Sequence, residues 1–301
     1  MSLSRVKLAL TNRCNLNCAH CYLGGRHCGD MCPSTAQSRM EEARSLGARI
    51  VDLTGGEPTM HPSFREIVEM AASLSFDTIN VSTNGVRLPG NVLECMSLHS
   101  VKCNVSLDGA SEDTVKAIRG PGVFRLIIEG LNEFSRRKIP FSLRFCVNKL
   151  NYCETEKMLQ LARDYAVKAS LEPTQFCGNA QPQLLLNVSQ CCEVKDRIRK
   201  YLSSSKVQIE ESFNGPLPCD GGQSDLISIA INGEAVPCLM MIESCGVECV
   251  KTLSAMIEEL AGAKRKLREF RPANKCCIAC THYGLCMSGC AVTANAMGCL
   301  Q

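Results

Sequence analysis

The residues Cys14-Asn15-Leu16-Asn17-Cys18-Ala19-His20-Cys21 directly follow a short apolar segment at positions 6–10. Three thiols thus lie in one loop, with three and then two residues between them. Three thiolates can hold three irons of a four-iron cluster and leave the fourth iron open. Structural zinc sites and electron carriers normally close their coordination with a fourth protein ligand, so an open position predicts an enzyme. The alternatives are a zinc knuckle or three unrelated core cysteines.

Outward from this loop, short apolar or β-branched runs alternate with amphipathic stretches. Strands are predicted at 6–10, 50–53, 78–81, 101–107, 141–147 and 169–171, and helices at 35–46, 64–74, 124–137 and 154–165. Ser63 and Glu66 have the spacing of a capping box at the second helix. Repeated β-then-α units imply parallel strands joined by right-handed crossovers. Six such units predict an α/β fold, a partial (β/α)6 TIM-like barrel.

The pattern changes after about residue 201. Ser203-Ser204-Ser205 and Asn214-Gly215-Pro216-Leu217-Pro218 are typical of connecting segments. Asn232-Gly233, between predicted strands at 225–231 and 234–236, indicates a β-hairpin, and a helix is predicted at 253–270. We therefore expect two domains, a barrel at 1–205 and a cysteine-rich C-terminal extension at 206–301.

Composition limits the classes of function. The chain has 301 residues, a formal charge of +3 and no long basic run, which disfavours nucleic acid as a partner. It lacks the roughly 18 consecutive apolar residues of a membrane helix and the apolar core of a signal peptide, so no membrane association is expected. Its 22 cysteines, without an export signal, predict metal ligands or reduced thiols in the cytoplasm.

Glycine-containing turns follow three of the predicted strands. In Thr54-Gly55-Gly56-Glu57-Pro58, the glycines would allow close backbone approach to a ligand and the carboxylate could pair with an ammonium group. The alternative is an ordinary turn. Asn84-Gly85 and Asp108-Gly109 end the third and fourth strands, either as turn residues or as part of the ligand face.

Together these features resemble the radical S-adenosylmethionine (SAM) enzymes. The resemblance implies that Cys14, Cys18 and Cys21 bind a [4Fe-4S] cluster whose open iron is chelated by SAM. It implies a 5′-deoxyadenosyl radical that abstracts a hydrogen atom. Gly55, Gly56 and Glu57 would hold the amino group of SAM, and Ser106 and Arg144 its carboxylate.

The C-terminal cysteines have a specific spacing: Cys219, thirteen residues, Gly233, four residues, Cys238, then Cys277-x2-Cys280-x5-Cys286-x3-Cys290 and Cys299. This resembles the SPASM extension of radical SAM enzymes, which carries auxiliary iron–sulfur clusters. The main alternative is a zinc ribbon. The resemblance assigns Cys277, Cys280, Cys286 and Cys299 to an outer cluster, and Cys219, Cys238 and Cys290 to an inner one. No cysteine lies between Cys192 and Cys219, so Cys245 completes the inner cluster, or that cluster is incomplete or absent. We expect one or two auxiliary clusters.

Cys245 and Cys249 lie away from any clear apolar stripe and are candidates for chemistry. A thiol can return a hydrogen atom to a carbon radical from the opposite face, which inverts the carbon. Cys249 is predicted to be that donor; the alternative is an inert, partly buried thiol. Of the remaining cysteines, most are predicted to be core thiols, with Cys103 and Cys146 in strand patterns.

The first strand begins by Val6, which predicts no peptide-recognition domain and hence a small-molecule substrate. The chain resembles the radical SAM epimerases of aminoglycoside biosynthesis. This implies a cationic amino sugar and an external reductant such as flavodoxin or ferredoxin. The acidic residues that are candidates for binding the amino sugar are Glu172, Glu210, Glu211, Glu243 and Glu248. The alternatives are a SPASM dehydrogenase or peptide maturase, and a non-enzymatic iron–sulfur electron carrier or zinc-stabilised binding module.

Overall fold

The computed structural model describes residues 2–25, 29–204, 209–211, 220–241 and 250–269. The strands are β1 (Arg5–Thr11), β2 (Ile50–Gly55), β3 (Thr78–Thr83), β4 (Lys102–Ser106), β5 (Phe141–Val147), β6 (Ala169–Pro173), β7 (Ile209–Glu211), β8 (Leu226–Ile229) and β9 (Ala235–Val236). The helices are α1 (Pro33–Ser45), α2 (Phe64–Ser73), α3 (Gly90–Leu98), α4 (Glu112–Arg119), α5 (Val123–Arg136), α6 (Thr155–Asp164), α7 (Val188–Ser204) and α8 (Leu253–Glu269). All six strands predicted for the barrel are present.

These strands form one sheet in the order β7-β6-β5-β4-β3-β2-β1-β8-β9. Every neighbouring pair is parallel except β8 and β9. The sheet is open, with β7 and β9 at its edges. The predicted α/β fold with an incomplete barrel is confirmed, and parallel pairing places the carboxyl ends of β1 to β6 along one edge.

Strand residues alternate between two faces. One face is apolar and packs with the helices in a single hydrophobic core. This core includes Leu8, Val51 and Leu143 of the strands, Met40 of α1 and Ile127 of α5. The opposite face is polar. We call it the polar face, defined by six residues at alternate strand positions: Asp52, Asn80, Asn104, Ser142, Arg144 and Glu172.

Three helices were not predicted. In α7, the fully buried Cys191 packs in the core with Val194 and Ile198, so this cysteine supplies part of the apolar stripe. The helix runs through Ser203 and Ser204, which were predicted to be a connecting segment. The helices α3 and α4 have nine and eight residues, and such short elements give weak periodic signals.

The predicted capping box at α2 is wrong, although the helix begins at Phe64 as expected. Ser63 is the N-cap but makes no side-chain capping bond. Its backbone N–H donates instead to Nδ1 of the buried His61, at 3.1 Å. The histidine ring thus takes the place that the Glu66 side chain was expected to fill.

The predicted hairpin around Asn232-Gly233 is present. The Ala230 N–H donates to the Glu234 carbonyl at 2.8 Å, and Gly233 has φ 80°. A Cβ at Gly233 would lie 2.7 Å from Thr35 Cγ2, and the Gly233 carbonyl accepts a hydrogen bond from Arg39 Nε at 2.9 Å. The turn therefore packs tightly on α1, and β8 extends the sheet beside β1. The domain boundary at residue 205 stays a prediction.

The helix predicted at 253–270 is confirmed as α8. Within the described parts of the chain, no helix is both long enough and apolar enough to cross a lipid bilayer.

Candidate active site

Cys14, Cys18 and Cys21 lie in the loop at residues 12–25, which leaves the carboxyl end of β1. We call it the cysteine loop. All three are partly exposed free thiols. They are close enough to interact electrostatically, since Cys14 and Cys21 each contribute to raising the pKa of the Cys18 thiol. Burial is the largest cause of the rise, which brings the pKa of Cys18 to about 11, and Arg119 opposes it.

The glycines of the Thr54–Pro58 motif hold this loop through backbone contacts. The Gly56 N–H donates to the Thr11 carbonyl at 2.6 Å, and the Glu57 N–H donates to the Arg13 carbonyl at 2.8 Å. A Cβ at Gly55 or Gly56 would overlap the Thr11 or Arg13 carbonyl oxygen. The close approach that requires glycine is thus explained by the end of β1 and the start of the cysteine loop. Contact between these glycines and SAM stays a prediction.

Glu57 is fully buried and links two strand ends. Its Oε1 accepts hydrogen bonds from the Thr59 N–H at 3.2 Å, Thr59 Oγ1 at 2.6 Å and Thr83 Oγ1 at 2.8 Å, while Oε2 accepts from the Asn84 N–H at 2.7 Å. Burial raises the pKa of Glu57, and these donors oppose the shift. The carboxylate therefore has a structural role at the strand ends, and its pairing with the SAM ammonium group stays a prediction.

Asn84 serves as both a turn residue and a support for the cysteine loop. Its Oδ1 accepts from the Val86 N–H at 2.9 Å, as in a turn. Its Nδ2 donates to Asn15 Oδ1 at 2.7 Å and lies 3.9 Å from Cys14 Sγ. The two interpretations left open by the sequence are thus compatible.

Asp108 forms the centre of a buried charge cluster, which we define as His20, Asp108 and Arg119. Its Oδ2 lies 2.6 Å from Arg119 Nη2 and 3.1 Å from His20 Nε2. Burial alone would raise the pKa of the fully buried Asp108, but Arg119 and His20 outweigh it and lower the pKa. Burial likewise would lower the pKa of His20, yet Asp108 and Cys146 raise it to about 10. Asp108 is therefore more than the turn residue that its glycine neighbour suggests.

Two supports of the loop were missed from the sequence. Arg119, at the end of α4, places Nη1 3.8 Å from Cys18 Sγ, and the neighbouring Ile118 carbonyl accepts from the Ala19 N–H at 2.8 Å. After β6, the Asn179 N–H donates to the Cys21 carbonyl at 2.8 Å, and Asn179 Nδ2 donates to the Cys18 carbonyl at 3.2 Å. Neither residue belongs to a recognisable motif. Only the contact with the loop identifies them.

Ser106 and Arg144 lie side by side on β4 and β5, as paired positions of the parallel ladder. Both alternate with buried residues and so lie on the side of the sheet that carries the polar face. Arg144 Nη2 donates to Glu172 Oε1 at 3.2 Å, and Ser170 Oγ also donates to that oxygen at 3.2 Å. The two residues predicted to contact the SAM carboxylate thus lie together, next to Glu172, one of the acidic residues proposed for substrate binding.

The prediction for the two strand cysteines holds for one of them. Cys103 is 1% exposed and packs in the core against Met96. Cys146 is not a core thiol. It alternates with the buried Phe145 and Val147 and is partly exposed on the polar side of the sheet. Its backbone N–H donates to Asp108 Oδ1 at 2.9 Å, and its sulfur lies within 4.8 Å of the ligand atoms of His20 and Asp108. The strand pattern identified its periodicity but not the face to which it belongs.

Most predicted C-terminal site residues lie outside the described residues. These are Cys219, Cys245, Cys249, Cys277, Cys280, Cys286, Cys290 and Cys299, with Glu243 and Glu248. Glu210 and Glu211 are in β7, in register with Ser170 and Leu171. Cys238 follows β9 and is partly exposed, and a Cβ at Gly221 would lie 3.3 Å from Cys238 Cβ. The auxiliary-cluster ligands stay a prediction.

The residues around the cysteine loop fit an iron–sulfur cluster. Soft thiolate ligands favour such clusters, and their sulfur charge is stabilised by nearby donors. Here the side-chain nitrogens of Asn84 and Arg119 lie within hydrogen-bonding reach of the Cys14 and Cys18 sulfurs, at 3.9 and 3.8 Å. Cys14, Cys18 and Cys21 would hold the cluster, and no fourth cysteine belongs to the motif.

Similarity to known proteins agrees with this geometry. Residues 8–162, about half of the chain, match the Radical SAM superfamily. The probable GTP 3',8-cyclase of Saccharolobus solfataricus is 26% identical over 257 residues, covering 79% of this chain and 83% of that protein. The AdoMet-dependent heme synthase of Methanosarcina barkeri is 31% identical over 165 residues, covering 53% of this chain and 47% of that protein.

Two solved structures share the fold across nearly the whole chain. Streptococcus suis SuiB bound to S-adenosylmethionine superposes with a TM-score of 0.78 at 15% identity, covering 98% of this chain and 74% of SuiB. The structure of anSMEcpe with bound AdoMet has a TM-score of 0.76 at 17% identity, covering 97% of this chain and 90% of anSMEcpe. The superfamily match includes the cysteine loop and five of the strand ends around it. The chain belongs to the radical SAM superfamily.

Proposed function

We propose that this enzyme is an epimerase that inverts one C–H stereocentre of a small cationic amino sugar. When bound, the cluster and SAM would supply a 5′-deoxyadenosyl radical that abstracts a hydrogen atom from the substrate. The polar face of the sheet offers hydroxyl, amide and carboxylate groups for binding a substrate. The observation that carries the proposal is the position of Cys249 in the sequence, close to the proposed auxiliary ligands Cys238 and Cys245.

Cys249 is proposed to return the hydrogen atom. After a radical supplied by SAM cleavage has removed a substrate hydrogen from one face, the Cys249 S–H bond would break as a new C–H bond forms on the other face. The resulting thiyl radical then takes up one electron and one proton. With the electron that cleaves SAM, each turnover consumes two electrons and one proton and releases methionine, 5′-deoxyadenosine and the epimer.

The electrons require a reductant outside the chain, and we propose a flavodoxin or ferredoxin. One or two auxiliary [4Fe-4S] clusters would pass an electron to the thiyl radical. Their proposed ligands are Cys219, Cys238 and Cys290, with Cys245, for the inner cluster, and Cys277, Cys280, Cys286 and Cys299 for the outer one. This arrangement is a SPASM-like extension over residues 206–301.

The proposed substrate class follows from the chemistry of the polar face. Glu172 is partly exposed beside Arg144, with 45% of its side chain accessible, so it could bind an ammonium group of an amino sugar. If Arg144 turns to the SAM carboxylate, its ion pair with Glu172 breaks. The Glu172 carboxylate is then available to bind the ammonium group. Such a reaction is like that of neomycin C epimerase, and would place the enzyme in aminoglycoside antibiotic biosynthesis.

A second candidate is oxidation or cross-linking of a peptide by a SPASM dehydrogenase or maturase. SuiB has been solved bound to its precursor peptide SuiA, and anSMEcpe with the Cp18Cys peptide. These share the fold of this chain at 14% and 17% identity, which does not specify a substrate. The candidate predicts an auxiliary cluster that accepts an electron from the substrate radical.

The two candidates give different product masses. The anaerobically reconstituted, reduced protein is incubated with SAM and a panel of amino sugars, or with candidate peptides, in ordinary and deuterated water. Epimerisation gives unchanged mass in ordinary water and one non-exchangeable deuterium in deuterated water, because the thiol exchanges with solvent. Loss of two hydrogen atoms would show oxidation and contradict the epimerase proposal.

Cys249→Ala separates hydrogen return from hydrogen abstraction. This variant should keep its iron and form 5′-deoxyadenosine at a rate comparable to wild type, but give no inverted product. Cys245→Ala is the control, since loss of an inner-cluster ligand should lower iron content. Inverted product from Cys249→Ala at the wild-type rate would exclude the proposed donor.

A further inference from the structure

We propose that Arg119 is a positioning residue that donates a hydrogen bond to the Cys18 thiolate and raises the reduction potential of the cluster held by the cysteine loop. The inference rests on the proposed assignment of Cys14, Cys18 and Cys21 as cluster ligands. It adds a residue from α4, outside the motif, to the machinery that controls electron transfer to SAM.

The first support is the geometry of the guanidinium group. Its Nη1 lies 3.8 Å from Cys18 Sγ, within hydrogen-bonding distance of a sulfur acceptor, and its Nη2 lies 2.6 Å from Asp108 Oδ2. A planar guanidinium can make both contacts at once, because its donors point in fixed and different directions. Arg119 thus bridges a fully buried carboxylate and a predicted cluster ligand.

The second support is burial. The Arg119 side chain is 6% exposed and that of Asp108 is 0% exposed, so water screens their charges weakly. An arginine is rarely buried without a partner that compensates its charge. Asp108 supplies that partner, since its Oδ2 lies 2.6 Å from Arg119 Nη2. The same oxygen lies 3.1 Å from His20 Nε2, so the carboxylate is shared between two residues and does not screen the guanidinium from the thiols completely.

The third support is rigidity. The Ala19 N–H donates to the Ile118 carbonyl at 2.8 Å, which fixes the loop beside α4 between Cys18 and His20. Asp108 is held in turn by the Cys146 N–H at 2.9 Å. The end of α4 also favours a cation, since helix carbonyls there carry partial negative charge. The distance between the guanidinium and the sulfur is thus set by backbone contacts on both sides.

The expected effect follows from charge. Reduction adds one negative charge to a cluster, and N–H donors to its sulfurs and nearby positive charge stabilise that state. Arg119 provides both, and Asn84, with Nδ2 3.9 Å from Cys14 Sγ, is a neutral donor on the other side of the loop. Removing the Arg119 guanidinium should therefore make the cluster harder to reduce.

The test is a redox titration followed by EPR, on the reconstituted full chain without substrate. The EPR signal of the cluster held by the cysteine loop is recognised in two ways. It changes when SAM is added, and it is absent from the Cys18→Ala variant. Arg119→Gln keeps an N–H donor but loses the charge, and Arg119→Lys keeps the charge but cannot reach both partners. We expect potentials below wild type for both, with the larger drop in Arg119→Gln, at wild-type iron content. Arg136→Met, a change on the exposed face of α5, is the arginine control and should leave the potential unchanged.

A wild-type potential in iron-replete Arg119→Gln would overturn the proposal, because a merely structural arginine leaves the potential unaffected. Should Arg119→Gln fail to fold or to bind iron, Arg119→Lys decides: a lowered potential supports the proposal and an unchanged one refutes it. Absence of a SAM-dependent signal from the wild-type protein would instead refute the cluster assignment. The titration uses no substrate, so its outcome is independent of whether the reaction is an epimerisation.

Discussion

Side chains around the cysteine loop act mainly by holding it. Glu57 contacts the loop through its backbone N–H, which donates to the Arg13 carbonyl, and the side chains of Asn84, Asp108 and Asn179 each reach the loop from a different part of the chain. Because these contacts come from four places in the chain, the positions of the three thiols depend on the whole edge of the sheet. Substitutions away from the motif should therefore affect the metal site.

Glu57→Gln should destabilise the protein and weaken SAM binding. The hydroxyls of Thr59 and Thr83 can turn to accept a hydrogen bond from the new amide, but the backbone N–H groups of Thr59 and Asn84 cannot. At least one buried N–H then loses its acceptor, at a cost of about 1–3 kcal/mol. Thermal unfolding and equilibrium SAM binding measure the two effects. Glu66→Gln, on the exposed side of α2, is the control. Unchanged stability and SAM affinity in Glu57→Gln would contradict both roles.

Cys18→Ala should abolish SAM cleavage, since two remaining thiolates leave the cluster without a third ligand. The measurement is iron content and 5′-deoxyadenosine formation after anaerobic reconstitution. Cys103→Ala, at a core thiol far from the loop in sequence, should retain both. Deoxyadenosine formation by Cys18→Ala, without an added thiol ligand, would refute the assignment of the loop.

At the scale of single elements, the hairpin of β8 and β9 is fixed by its turn. Gly233 has positive φ, and its Cα faces Thr35 and Arg39 of α1 with little space between them. Two constraints thus meet at one residue: the turn requires a left-handed backbone and the helix excludes a side chain. The hairpin joins the edge of β1 that is opposite β2, so it supports the strand that leads into the cysteine loop.

Gly233→Ala should destabilise the protein by about 1–3 kcal/mol, the cost of a strained non-glycine backbone. A clash with Thr35 Cγ2 at 2.7 Å would add to it. The matched control is Gly262→Ala in α8, where a Cβ meets nothing within 4 Å. That variant should be stabilised by roughly 0.5–1 kcal/mol, because alanine favours a helix. Equal unfolding temperatures for the two variants would show that the turn is unconstrained.

At the scale of the whole molecule, β1 is central to both the core and the site. It pairs with β2 on one side and β8 on the other, and Leu8 lies in register with Leu53 and Ile229. All three are fully buried. The strand that positions the thiols is thus buried and paired on both sides, which limits movement at the base of the loop.

Leu8→Ala should destabilise the whole protein by about 2–5 kcal/mol, through lost burial and the cavity left behind. Leu98→Ala is the control, since Leu98 is 78% exposed and its loss should change stability by no more than about 0.5 kcal/mol. Thermal unfolding of the reconstituted proteins compares them. A Leu8→Ala midpoint equal to that of Leu98→Ala would contradict the central position of β1.

Sequence alone determined the strands β1 to β6, most of the longer helices, the hairpin and the three-thiol loop. These depend on local signals: alternation along a strand, periodicity along a helix, a turn that needs glycine, and the spacing of ligands in one loop. Where the signal was mixed, as with Cys191 in α7, the helix was missed. Part of its apolar stripe is a cysteine, which packs there as a small hydrophobe.

Only the tertiary structure decided which distant residues meet the cysteine loop. Arg119 and Asn179 lie about 100 and 160 residues from Cys18, and no local pattern marks either of them. The glycines of the Thr54–Pro58 motif closely approach the backbone of Thr11 and Arg13, which the motif alone does not indicate, while their contact with a ligand stays a prediction. Parallel strands bring their carboxyl ends to one edge whatever their separation in sequence, so the surroundings of the site follow from sheet order, which no local spacing encodes.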